Sequence, residues 1–253
     1  MTTHFLGDTA ALTRRSLRHI MRSPDTIITT TIMPIAFMLL FVYVFGGSID
    51  TGSDSYVTYL LPGILLITIA SSISYTSFRL FMDKKSGIFE RFMSLPIARS
   101  AVLWAHVLTS LVATVVALVV VVLVALLMGF RSSAGVLAWV SVAAVLVLFT
   151  LALTWLAVIA GLSARTIDGA SAFSYPLILL PFISSAFVLT ENMPGPVRAF
   201  AENQPVTSIV NTIRDLLAQQ PVGTGIWIAL AWCLGIGLVA YALATRTYHR
   251  QGT

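Results

Sequence analysis

Six runs of this chain are long, apolar and free of aspartate, glutamate, lysine and arginine: Ile27 to Phe45, Val57 to Ser77, Ala101 to Met128, Val136 to Leu162, Ala170 to Leu189 and Ile226 to Leu243. An apolar helix needs about 20 residues to cross a hydrocarbon layer roughly 30 Å thick, and each run meets that length. In lipid every backbone amide must find its partner within the protein, so runs of this kind close on themselves as helices. The pattern predicts an all-α polytopic membrane protein of six transmembrane helices, one transmembrane domain over residues 1–253. At 57% hydrophobic and 10% charged, with a mean hydropathy of +0.92, the chain falls outside the range of soluble globular domains.

The basic residues give the orientation, because lysine and arginine flanking a span favour the cytoplasmic side. Arg14, Arg15, Arg18 and Arg22, then Arg79, Lys84, Lys85, Arg91 and Arg99, then Arg165, and finally Arg246 and Arg250 share one side in a six-span arrangement. Only Arg131, Arg198 and Arg214 fall on the other, and twelve against three predicts both termini in the cytoplasm. The formal charge of +5 is therefore mainly a topology signal, and no nucleic-acid partner is needed to explain it. The expected location is the cell (inner or plasma) membrane, in a multi-pass arrangement with lipid as a constant partner. Residues 1–22 have no apolar core or small-residue cleavage site, which argues against a signal peptide.

Three segments outside the runs carry structure of their own. Over residues 5–22, Phe5, Leu6, Leu12, Leu17, Ile20 and Met21 interleave with arginines, which predicts an amphipathic helix lying in the headgroup layer. It reads either as a charged anchor or as a lever, through Arg14, Arg15 and Arg18, that a cytoplasmic partner pushes. Residues 190–223 are too polar to cross, and Pro205 opens a helix with Ile209, Val210, Ile213, Leu216 and Leu217 on one face and Asn211, Arg214 and Asp215 largely on the other. Residues 83–96, Asp-Lys-Lys-Ser-Gly-Ile-Phe-Glu-Arg-Phe-Met-Ser-Leu-Pro, form a charged amphipathic element between the second and third spans.

Ion-coupled transporters keep costly ionisable groups in the membrane. Here the nearest is His106, about five residues into the third span, read as a hydrogen-bonded interfacial histidine rather than a proton carrier. The lone Cys233 allows neither an internal disulfide nor a cysteine metal site and reads as a core residue. No Gly-x-x-x-x-Gly-Lys-Ser/Thr stretch or nucleophile-base constellation is present, so the chain is not expected to hydrolyse ATP by itself, and no catalytic or metal-binding residue is assigned. Hydroxyl and aromatic groups recur in the second span (Ser71, Ser74, Tyr75) and in the fifth (Phe173, Tyr175, Ser184), around Pro176 and Pro181, which permit a kink. They serve either as interhelical hydrogen-bonding groups or as an amphiphilic lining for a substrate path.

Leu61-Pro62-Gly63, then Asp83, Gly87, Glu90, Arg91 and Pro96, then Asn203, Pro205, Thr207 and Arg214 occur in an order that resembles the membrane subunits of type-2 ATP-binding cassette exporters, and most of all the daunorubicin-resistance-type permeases. The similarity runs from about Thr9 to Arg246; one departure is Ala105-His106, where the family commonly has a Gly-Lys pair. The resemblance implies a dimer of six-helix protomers joined to two copies of a cytoplasmic ATPase that holds ATP and Mg. It makes residues 83–96 the coupling helix, with Asp83, Lys84, Gly87, Ile88, Phe89, Glu90, Arg91 and Phe92 at the contact, and makes residues 190–223 extracellular helices. The implied function is export of a hydrophobic or amphiphilic, drug-like or antibiotic-like molecule, that is, multidrug efflux. The alternatives are an ion-coupled secondary transporter, an exporter of lipid or polysaccharide precursors, and a scaffold without cargo.

Overall fold

In the computed structural model, residues 5–21, 24–46, 56–87 and 99–251 are described. They form α-helices throughout, with no strand among them. In chain order these are α1 (Phe5–Met21), α2 (Pro24–Leu40), α3 (Tyr56–Lys85), α4 (Arg99–Leu127), α5 (Val136–Ser163), α6 (Ile167–Ala172), α7 (Ser174–Leu179), α8 (Gly195–Asn203), α9 (Pro205–Leu217) and α10 (Gly225–Gln251). Five of the described helices are long and apolar enough to cross a membrane: α2 with its continuation to Phe45, then α3, α4, α5 and α10.

Burial ranks them. In α3, 83% of the apolar window is inside the protein, against 22% in α2 and 17% in α10, so α3 is the central rod and the other two are peripheral. Around it pack α2, α4 and α5, while α10 lies along α5 and α1 along α4. The main core gathers the first two-thirds of α3, the far halves of α4 and α5 and the apolar face of α9. A second cluster closes the other end, where Leu80, Val102, Leu103, Trp155, Leu162 and Ala244 meet. Leu12 of α1 packs on that second cluster, so α1 is seated on the bundle by its apolar side. This is the end that carries most of the arginines and lysines.

The fifth apolar run departs from the expectation of one span over residues 170–189. The chain is helical only from Ile167 to Ile183, in three pieces: α6, α7 and a 3₁₀ turn at Leu180–Ile183. The prolines explain both irregularities, because each removes a backbone donor and crowds the carbonyl four residues earlier. Pro176 acts on Ala172, where α6 ends, and Pro181 on Leu177, beyond which the helix tightens to 3₁₀. Ser184 is then fully extended (φ −142°, ψ −177°), and the chain turns back within the protein.

Aromatic stacking fixes α2 to this broken segment. Its last five residues, Phe41–Phe45, wind as a π-helix, and Phe41 stacks on Phe187 at 4.8 Å while Phe37 meets Phe182 edge-on at 5.4 Å. On the other side α3 approaches the same turn so closely that a Cβ at Gly63 would lie 2.7 Å from the Ala186 methyl. Gly63→Val is therefore expected to cost about 1–3 kcal/mol by overpacking. Gly235, which has no neighbouring atom within 4 Å of an added Cβ, should accept alanine. Thermal unfolding of the two variants in lipid nanodiscs checks this, with Gly63→Val melting below Gly235→Ala.

Candidate functional site

At the basic end, α3 runs on past its apolar stretch to Lys85, so Asp83 and Lys84 complete its last turn rather than open a separate helix. Two lysines in that turn face the partial negative charge of the helix C-terminus, which favours the extension. The helix is then stopped: Ser86 N–H donates to the Met82 carbonyl at 2.9 Å, and Gly87 adopts φ +71°, a left-handed conformation suited to glycine. The last turn is tied to its neighbours. Asp83 Oδ2 lies 3.4 Å from His106 Nε2 of α4, and Lys84 Nζ donates to the Leu162 carbonyl of α5 at 2.5 Å. The exit of α3 is thus fixed to the ends of both adjoining spans, and any push on the chain beyond Gly87 reaches all three helices.

Ile88, Phe89, Glu90, Arg91 and Phe92 lie outside the described residues. Arg14 and Arg15 project from the exposed side of α1, while the Arg18 side chain lies outside the description.

The residues suggested for a substrate path do not come together. Tyr75 borders a polar cleft between α2, α3 and α4, Phe173 packs against the core, and Tyr175 is 62% exposed. Ser71 and Ser74 are half-buried on α3. Ser184 is committed to the turn: its Oγ donates to the Pro181 carbonyl at 2.6 Å and accepts the Ala186 N–H at 3.1 Å. An apolar groove lies elsewhere, between α3, α5, α7, α9 and α10. It holds about 840 Å³ and is lined by Leu66, Phe149, Leu177, Val206, Trp232 and Val239, among other apolar residues.

The opposite end contains a clasp that the sequence reading did not foresee. The sequence pattern puts Arg214 largely on the face opposite Ile209, Val210 and Ile213. In the structure its Nη2 donates to the Ser185 carbonyl at 2.9 Å and the Tyr59 carbonyl at 3.1 Å, and its Nη1 donates to Asn211 Oδ1 at 3.1 Å. Its Cζ stands 3.9 Å above the Tyr59 ring, a cation–π contact. Tyr59 OH donates to the Ser185 carbonyl at 3.1 Å, and Ser185 Oγ donates to Asn211 Oδ1 at 2.7 Å. Gln204, just ahead of α9, donates through Nε2 to the Ile183 carbonyl. Burial pushes the Arg214 pKa down from its ordinary value, with Tyr59 and Asp215 opposing, while the guanidinium stays charged. Burial also raises the Asp215 carboxyl, against the pull of Arg214.

The physical need explains the arrangement. Irregular backbone at the edge of a membrane must be satisfied by the protein itself. Arginine, with donors in a planar fork, serves two carbonyls at once where lysine offers a point charge. The signal in the sequence was a single arginine in an otherwise apolar-faced helix, ahead of which lie two prolines in the preceding span.

Arg214→Ala is expected to destabilise the protein by about 2–3 kcal/mol, the scale of a lost charge-assisted hydrogen-bond site. Arg214→Lys should recover only part of it. Melting temperatures in nanodiscs, with protease sensitivity of residues 190–223 as the local readout, check both.

Comparison with known proteins bears on this geometry. Residues 8–218 match the ABC-2 type transporter family. The daunorubicin resistance ABC transporter permease protein DrrB1 of Streptomyces coeruleorubidus is 32% identical over 235 residues, covering 90% of this chain and 81% of the relative. The probable doxorubicin resistance ABC transporter permease protein DrrC of Mycobacterium tuberculosis is 24% identical over 253 residues, covering 98% of this chain and 91% of the relative.

Proposed function

The chain belongs to the ABC-2 type transporter family, and from that premise we propose that it is the permease of an ATP-driven exporter whose cargo is a lipophilic, drug-like molecule. The observation that carries the reading is the construction of the basic end. α3 leaves the bundle there with its last turn bound to α4 through Asp83 and to α5 through Lys84, and α1 rests on the same cluster. Movement delivered to the chain just beyond Gly87 would therefore reach the whole bundle, which is what an external motor requires.

In this proposal two copies of a separate ATPase hold ATP and Mg and bind the chain over residues 83–96, with Ile88, Phe89 and Phe92 as apolar anchors and Glu90 and Arg91 setting register, while Lys84 ties the segment to α5. Two permease protomers pair in the inner or plasma membrane, both termini face the ATPases, and α8 with α9 faces outward. The cargo class is supported by the names of the two relatives and by the groove of about 840 Å³, a volume within the range of small-molecule sites. An ion-driven mechanism is disfavoured by six apolar runs that carry no aspartate, glutamate, lysine or arginine and, of the histidines, only His106, which sits against Asp83 near the basic end.

The test is ATP-driven accumulation of a lipophilic fluorescent dye in inverted membrane vesicles containing the permease and its ATPase. Phe89→Ala with Glu90→Ala is expected to abolish accumulation while the permease remains inserted and ATP hydrolysis continues. Undiminished accumulation by the double variant would remove the coupling role from this segment.

A further inference from the structure

The cleft between α2, α3 and α4 is lined mainly by polar side chains, in contrast to the apolar clusters that make up most of the core. Thr76 of α3 and Ser110 of α4 share a hydrogen bond of 2.6 Å across it. One turn deeper on each of these antiparallel helices stand Ser72 and Thr114, 6% and 0% exposed, both lining the cleft. Neither hydroxyl has a hydrogen-bond partner among the described residues.

A local solution was open to both. A serine or threonine within a helix can donate to the carbonyl four residues earlier. Neighbours in these helices do so: Thr68 to Ile64 at 2.8 Å, Thr76 to Ser72 at 3.2 Å and Thr109 to Ala105 at 2.6 Å. Ser72 and Thr114 forgo that bond. Each unpartnered buried hydroxyl costs about 1–3 kcal/mol. Both stand about 20 Å from either end of their helices at 1.5 Å per residue, where lipid offers no compensation. Two such groups facing one space call for a guest that both donates and accepts.

The size of the space selects the guest. The cleft offers about 20 Å³. Accommodating one water takes about 10–15 Å³ measured this way, while a phosphate or a sugar hydroxymethyl group is too large. The cleft also extends to Arg79 and His106, about two helical turns nearer the basic end, which gives water a polar route of entry.

We propose that this cleft is a water-binding site halfway along the central helix pair, in which a water reached from the basic end bridges Ser72 of α3 and Thr114 of α4. The inference is independent of the cargo and of the ATPase. Its consequence is mechanical: α3 and α4 are joined at mid-length by exchangeable hydrogen bonds rather than by interlocked apolar side chains, so this is the seam at which the bundle parts at least cost.

Two measurements on the full-length protein in nanodiscs test it. Thr114→Val keeps the shape and removes the hydroxyl. If water bridges the pair, the substitution strands it, and the melting temperature should fall by about 2–4 °C, the shift expected for about 1 kcal/mol in a protein of this size. A melting temperature unchanged or raised would mean a dry hydroxyl and would overturn the proposal. The second measurement uses silver ion, a thiol reagent small enough to follow water. In a Cys233→Ala background, Ser72→Cys and Thr114→Cys should lose maleimide labelling in denaturant after silver treatment of the folded protein. Leu118→Cys, one turn further along α4 and lining a separate apolar cavity, should keep it. Labelling retained at positions 72 and 114, or lost equally at 118, would also overturn the assignment.

Discussion

The guanidinium of Arg214 holds the carbonyls of Ser185 and Tyr59 together, and the arrangement of the end opposite the basic one follows from that contact. The segment after α5 carries two prolines and is helical only in pieces as far as Ile183, and its continuation is extended. Backbone of that kind survives at membrane depth only where protein groups satisfy it. Arg214, Tyr59, Gln204 and Ser184 supply those groups, and in doing so they seat α9 against α3. Gly63 admits the turn, because any side chain there would meet Ala186. Clasp, glycine and prolines together form the turn that leads the chain from α7 towards α8.

The two ends of α3 carry different chemistry, and the rod between them makes the proposed function mechanically plain. Its first turns take part in the clasp, and its last turn binds α4 and α5 before Gly87 releases the chain. A helix of 30 residues is about 45 Å long at 1.5 Å per residue, so a single element joins the basic end to the clasp. Around it the apolar contacts are interrupted by hydrogen bonds at both of its ends and, midway, by the Thr76–Ser110 pair shared with α4.

Much of this was legible in the residues. Length and apolarity alone identify α2, α3, α4, α5 and α10, because no other structure tolerates such runs in lipid, and the amphipathic pattern over residues 5–22 and 205–217 marks α1 and α9. What pattern could not show was where a helix overruns its apolar stretch: lysines at a helix C-terminus are stabilising, so α3 extends to Lys85. Nor could it show that Arg214 turns inward. On a helical wheel it shares a side with Asn211 and Asp215, and only the carbonyls of Ser185 and Tyr59, distant in sequence, draw it into the protein. Hydroxyl-bearing residues misled for a related reason. Ser184, Tyr75 and Tyr175 look alike as members of a lining, yet one caps a turn, one borders a cleft and one is exposed. Their roles depend on helix rotation, which spacing within one helix does not fix.

The measurement that bears most directly on the account is purification of the chain in mild detergent after co-expression with its neighbouring reading frames, followed by native mass determination and an ATPase assay. The account expects two ATPase subunits for every two permease chains, retained with ATP hydrolysis and lost when residues 83–96 are altered. A well-folded permease that brings down no ATPase would contradict it.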